Sequence, residues 1–131
     1  MDVPRTELYF FKDDAGKAPV IDWLKSLRRK ERKAYAKCAA RIDALATLGH
    51  ELRRPMADYL RDGVHELRVR HGRVNYRILY FFHGQAVAVL AHALTKEAKL
   101  PDADIERAIQ RKEAFEKNPK QHTYGEDAEN A

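Results

Sequence analysis

Between Gly63 and Lys99, three runs of alternating apolar and polar residues are separated by two His-Gly pairs. Alternation with period two predicts strands, and an X-Gly pair between such runs predicts a hairpin, because the favoured two-residue loops need positive φ. Taking His71-Gly72 and His83-Gly84 as the loops, counting outwards sets Arg70 opposite Arg73, Arg68 opposite Asn75 and Glu66 opposite Arg77. Around the second loop, Tyr80 faces Val87, Ile78 faces Val89 and Asn75 faces His92. Side chains alternate between the two faces of a strand. One face then gathers Leu67, Val69, Val74, Tyr76, Ile78, Tyr80, Val87 and Val89. The other gathers Glu66, Arg68, Arg70, Arg73, Asn75, Arg77 and His92. A slip of one residue would scramble this separation, so the sorting itself supports the register.

The rest of the chain supplies elements that can cover the apolar face. Leu8-Tyr-Phe-Phe11 reads as a first strand, and 13–17 as a loop. Pro19 is suited to the first position of a helix carrying Val20, Leu24 and Leu27. A second helix from about Arg29 carries Tyr35, Cys38, Ile42, Leu45 and Leu48 on one stripe and is capped by Gly49. Arg53–Gly63 reads as a connecting segment. Pro101-Asp102 opens a last helix with Ile105, Ile109 and Phe115 towards the core. The predicted order is β-α-α-β-β-β-α, an α+β fold with a small twisted antiparallel sheet packed by helices. Residues 1–117 form one domain, and 118–131 read as a disordered polar tail.

Composition sharpens the picture where it is uneven. The chain has 131 residues, enough for one core, with 44% hydrophobic and 34% charged residues, as in soluble globular proteins. No apolar run is long enough to span a bilayer, and the first residues lack a signal pattern. With a single cysteine, Cys38, no internal disulfide can form. These features place the protein in the cytoplasm as an expectation. The net charge is +5. Eight basic residues against one acid, Glu31, fall between Lys25 and Arg41, and such concentration points to an anionic partner.

Arginine binds phosphate through a planar fork of donors. Four arginines on one sheet face, with Lys96 and Lys99 beyond, suit an RNA or DNA backbone. The alternative is a solvated face with a Glu66–Arg77 cross-strand pair. Arg70 directly opposite Arg73 favours binding, because like charges in that position repel without a bridging anion. His92, the one histidine within a strand on this face, has an unperturbed pKa suited to proton transfer. No Cys/His/Asp grouping has metal-ligand spacing, so neither metal nor other cofactor is expected. RNA can be cut without metal when its own 2′-OH attacks the adjacent phosphate. That reaction needs cations around the phosphorane and groups that move protons.

Several segments together resemble a known family: Gly49-His-Glu-Leu-Arg-Arg-Pro55, Leu60, Gly63, Glu66-Leu-Arg68, Tyr76-Arg-Ile-Leu-Tyr80, and His92-Ala-Leu-Thr-Lys96-Glu-Ala-Lys99-Leu-Pro101 with Ile-Glu-Arg-Ala after it. In order and spacing they are similar to the HigB-like, phage-derived branch of the RelE/ParE toxin superfamily, over about Leu8 to Lys117. The resemblance implies the toxin of a type II toxin–antitoxin system, an endonuclease that cuts mRNA on the ribosome and inhibits translation. It also implies a cognate antitoxin, often of helix-turn-helix type, as partner, and no membrane. By position, Arg68 and Arg77 would contact the scissile phosphate, His92 and Lys96 would serve catalysis, and Arg70, Arg73 and Lys99 would bind RNA. The branch often has an aromatic residue and paired lysines after the histidine; here these positions hold Leu94, Lys96 and Glu97. Two alternatives share the fold expectation: a ParE-like toxin that inhibits gyrase without catalysis, and a basic nucleic-acid-binding module without toxicity.

Overall fold

The computed structural model describes residues 5–96 and 99–125, the side chain of Lys96 excepted. Its element order is β1 (Glu7–Phe10), α1 (Pro19–Lys30), α2 (Arg32–Leu48), a 3-10 turn at Gly49–Glu51, β2 (Ala57–Arg61), β3 (Val64–His71), β4 (Val74–His83), β5 (Val87–Lys96) and α3 (Asp102–Lys117). The five strands form one sheet in the order β1-β5-β4-β3-β2. β1 lies parallel to β5 and the other pairs are antiparallel, so the α+β expectation holds with a mixed sheet.

Each element follows from a local cause. Pro19 opens α1, and Arg28, Arg29 and Lys30 close it where the helix dipole favours cations. The single extended residue Glu31 separates α1 from α2. Gly49 ends α2 with φ 54°, and a Cβ there would collide with the Thr6 hydroxyl. The two helices cover one sheet face. Val20, Leu27, Cys38 and Leu45 pack against Leu67, Val69, Tyr76, Ile78, Tyr80 and Leu90. Burial pushes the Cys38 thiol up to about 11, the signature of an inert core thiol.

α3 covers part of the opposite face. Phe115 meets Phe11, Phe81, Val89 and Ala91, while Ala108 joins Val64, Leu79, Leu94 and Leu100. A fully buried Leu or Phe contributes about 1.5–3 kcal/mol. Several such residues, Phe81, Leu79 and Phe115 among them, have no exposure at all. α3 is therefore an integral layer of the core.

Four expectations are corrected. The segment read as a connector contains β2, which pairs with β3 through an Asp62-Gly63 turn with both φ values positive. The first hairpin turns on Gly72-Arg73, with His71 paired to Val74. Only Gly72 has positive φ there; a turn with glycine at its first central position satisfies the hairpin, and His71 is spared that strain. Arg68 thus faces Arg77, Arg70 faces Asn75 and Glu66 faces Leu79. Third, residues 84–86 form a three-residue loop, and His83 pairs with Val87. The odd residue moves Val87 and Val89 to the α3 face, with Phe81. A bulge opposite Leu79/Tyr80 then restores the original parity, so His92 faces Leu79 rather than Asn75. Fourth, residues 118–125 are folded. Phe11 bridges Thr123, the Tyr124 N–H donates to the Phe10 carbonyl at 2.8 Å, and the His122 ring stacks on Phe11 at 5.2 Å. An edge strand with free backbone groups offers that segment partners its polar composition did not reveal. Residues 126–131 lie outside the described residues.

Candidate active site on the open half of the sheet

Three cross-strand rows order the polar residues of the face that α3 half covers. Asp58, Glu66, Leu79 and His92 form the first, Arg68, Arg77 and Leu94 the second, and Arg70, Asn75 and Lys96 the third. α3 covers the β5 end of the first row. The second and third open into a cleft of about 380 Å³ lined by Arg41, Arg68, Arg70 and Arg77 with Asn75 and Tyr76, and walled by Pro55 and Met56. Among the described residues, no carboxylate lines it. A larger depression of about 550 Å³ lies between 12–16 and Asn118–Gln121 and has mixed charge, without the convergent cations of the cleft.

Glu66 is buried beside Arg68 and Arg77 and is not part of the cleft lining. Its side chain lies 3.6 Å from Arg68 Nε and 3.8 Å from Arg77 Nε. Its Oε2 is fully buried with no hydrogen bond among the described residues. Burial raises its pKa, while Arg77 and then Arg68 pull it down. Arg68 and Arg77 sit directly opposite each other on adjacent strands, a repulsive arrangement. Glu66 is the negative group between them and offsets part of that repulsion. Arg77 is mostly enclosed, at 14% exposure, and Arg68 is freer, at 44%. Arg41 reaches over from α2 to donate to the Arg68 carbonyl at 2.9 Å. Across from Glu66 on β2, Asp58 accepts from Arg54 at 2.8 Å.

His92 lies on the same face one row further along, beneath α3. Its Nε2 is 2.7 Å from Asp104 Oδ1 and its Nδ1 is 3.1 Å from Arg111 Nη1. Arginine has donors only, so Nδ1 accepts and Nε2–H donates to Asp104. Burial lowers the pKa of His92 more than the Asp104 hydrogen bond raises it. The ring is thus neutral with both nitrogens occupied. Arg111 also donates to the Ala91 carbonyl at 2.8 Å, completing a clamp between β5 and α3.

The expected residues are therefore divided. Arg68, Arg70 and Arg77 meet in the cleft. Arg73 is exposed in the turn beyond it, and Lys99 is exposed after β5. The backbone of Lys96 pairs with Asn75, while its side chain lies outside the described residues. Arg41 joins the site without having been placed there from sequence, and Glu66, read on this face as an ion-pair partner of Arg77, lies within 3.8 Å of both Arg77 and Arg68. Arg41 adjoins Ile42 at the border of the α2 stripe, a position from which a long side chain reaches the next layer. Among the described residues, no group of three His, Cys, Asp or Glu side chains is placed to hold a metal ion. No helix among them is long and apolar enough to cross a membrane.

Comparison with curated proteins finds no match. A family model does match, over residues 22–113, from α1 into α3 and including every strand that builds the cleft. Its description is phage derived protein Gp49-like (DUF891). The chain belongs to this Gp49-like family, a family of the type II toxin (RelE/HigB-like) kind.

Proposed function

We propose that this protein is the toxin of a type II toxin–antitoxin pair within the RelE/ParE superfamily, and that it cuts mRNA on the ribosome. The observation that carries this reading is the cleft, without a lining carboxylate among the described residues, in which Arg68 and Arg77 face each other beside a buried glutamate. Two guanidinium groups so placed are poorly matched to each other and well matched to a phosphate between them.

In the proposed reaction the 2′-OH gives its proton to solvent and attacks the neighbouring phosphorus, the bond to the 5′-oxygen breaks, and a cyclic phosphate and a 5′-hydroxyl result. Arg77, the more enclosed cation, stabilises the charge that grows on the phosphorane. Arg68 orients the phosphate, and Arg41 and Arg70 hold flanking phosphates. Glu66 is a positioning residue that keeps the two central arginines together. With both nitrogens of His92 held beneath α3, proton delivery to the leaving oxygen falls to Lys96, and His92 holds the wall of the site. An antitoxin, of the helix-turn-helix kind in this reading, completes the pair. Its inhibition of the toxin would spare host mRNA.

The test is expression from a tightly controlled promoter with mapping of mRNA 5′ ends, and Arg77→Ala alongside. New ends inside translated codons that vanish with Arg77→Ala are expected. Loss of one preorganised cation lowers the rate about 10²–10³-fold. Growth arrest with intact mRNA would instead indicate a gyrase-directed toxin, and cleavage that survives Arg77→Ala would remove the site from the cleft.

A further inference from the structure

The basic residues between Lys25 and Arg41 fall on α1 and α2, outside the cleft except for the last of them. Within α2, Lys33, Lys37 and Arg41 recur every four residues, so they form one row along the helix. The row runs beside the buried stripe of Ala34, Cys38 and Leu45, on its β3 side, because Arg41 reaches the Arg68 carbonyl. Arg41 therefore belongs to both features: it ends the row and lines the cleft. Lys33 and Lys37 are exposed, as are Arg29, Lys30 and Arg32 at the α1–α2 corner.

Several basic residues elsewhere are paired with carboxylates. Arg5 meets Asp43, Arg54 meets Asp58, Arg61 meets Asp62, Asp102 and Glu106, and Lys112 meets Glu116. Lys33, Lys37 and Arg41 meet no carboxylate among the described residues. A row of uncompensated cations opening into the cleft has the layout of a channel for one continuous polyanion. Four residues of helix rise about 6 Å, comparable with the separation of successive phosphates in an extended strand.

We propose that Lys33 and Lys37 form a backbone-binding track that carries the RNA strand away from the cleft, with Arg41 as the joint between the two. This extends the nuclease reading: the strand held for cleavage at Arg68 and Arg77 continues along α2, and the contact is to phosphate rather than to bases. The track lengthens the footprint by about two phosphates and is indifferent to sequence.

Two 2′-O-methyl oligoribonucleotides, of four and of twelve residues, test it, because they bind without being cut. The twelve-mer should bind the wild-type protein more tightly and with a steeper salt dependence. In Lys33→Gln/Lys37→Gln, twelve-mer affinity should fall roughly tenfold or more at 0.1 M salt. The slope of log K against log salt should shrink by about 1.4, or 0.7 for each lost single-strand contact. Four-mer binding should not change. Both lysines are exposed, and an unchanged melting temperature and circular dichroism spectrum would confirm the fold. The track is overturned if the wild type does not bind the twelve-mer at low salt, or if the double variant binds it with unchanged affinity and slope. It is equally overturned if the variant loses affinity for both oligonucleotides alike, or loses only binding to an acidic protein. Arg77→Ala separates this proposal from the cleft assignment. Retention of four-mer affinity in that variant would remove the cleft, whereas loss of four-mer affinity with an unaltered α2 contribution would keep both.

Discussion

Arg111, on α3, and Arg77, on β4, lie against the same face of one sheet, yet their surroundings are opposite. Beneath α3, Arg111 donates to the Ala91 carbonyl and to His92, which in turn is bound to Asp104. Nearby, Arg61 is held by Asp102 and Glu106. These contacts fix α3 to the strands. In the open half, Arg77 faces Arg68, and their shared carboxylate, Glu66, lies beyond ordinary hydrogen-bonding distance from both. One half is arranged for its own stability. The other retains repulsion that Glu66 offsets only in part and that an outside anion would relieve, and polar strain of this kind concentrates where ligands bind.

The widest expected gap between the two halves is in activity. Arg77→Ala should abolish mRNA cleavage and leave melting nearly unchanged, while His92→Ala should do the reverse. Glu66→Gln sharpens the contrast. It removes the charge between Arg68 and Arg77 and keeps the shape, so cleavage per folded molecule should fall at least tenfold, by release of the arginines. Glu66 has a raised pKa through burial. The folded state therefore holds its proton more tightly than the unfolded chain does. Its stabilising contribution is complete at pH below the ordinary 4.5 and declines as pH rises through the folded value. The melting temperature of wild type relative to Glu66→Gln should accordingly drop between pH 4 and 7. A difference that stays flat with pH would show that Glu66 titrates normally in solution.

In the covered half the effect is on stability and has the opposite pH sign. His92→Ala strands Asp104 and Arg111 under α3 and should cost about 1–3 kcal/mol in denaturant unfolding. Because burial lowers the His92 pKa, its contribution is complete above the ordinary value of 6.5 and is lost as pH falls through the folded value. Wild type should thus weaken relative to His92→Ala on acidification from pH 7 to 5. Strengthening instead would mean that the Asp104 hydrogen bond outweighs burial and that the histidine is charged.

The same division explains what was legible in the sequence. Element types followed from period and punctuation: Pro19, Gly49 and the alternation of β3 to β5 set the helices and three of the strands. The arginine face was legible as well, because the first hairpin slips by two residues and a shift of two preserves which side each residue takes. The exact pairs were not legible. His71-Gly72 looks the same in sequence whether glycine is the first or the second residue of the turn, and the pairing of His71 with Val74, without a positive φ at His71, separates the two. The second hairpin could not be predicted by counting, because a three-residue loop and the bulge at Leu79/Tyr80 each change parity and together cancel. β2 did carry a signal, Asp62-Gly63, the pair favoured where both turn residues have positive φ. Its strand is an edge strand that places Ala57 in one core and Leu60 in another, with Tyr59 exposed, so the alternation is hidden. Arg41, and the contact of Glu66 with Arg68 as well as Arg77, were missed for a related reason. Their roles depend on which residues lie across from them, and that depends on the register.

The smallest effect concerns that register directly. Were Arg70 opposite Arg73, replacing Arg73 with glutamine would relieve a cross-strand repulsion of a few tenths of a kcal/mol, and the gain would grow as salt is lowered. In the structure Arg70 faces Asn75 and its Nε donates to the Gly72 carbonyl at 3.2 Å, while Arg73 is exposed in the turn. Arg73→Gln should therefore leave unfolding free energy within about 0.5 kcal/mol of wild type, with no trend in salt between 0.02 and 0.5 M. A stabilisation that appears only at low salt would restore the Arg70–Arg73 pair. It would also separate Arg68 from Arg77, and with them the phosphate site that their opposition creates.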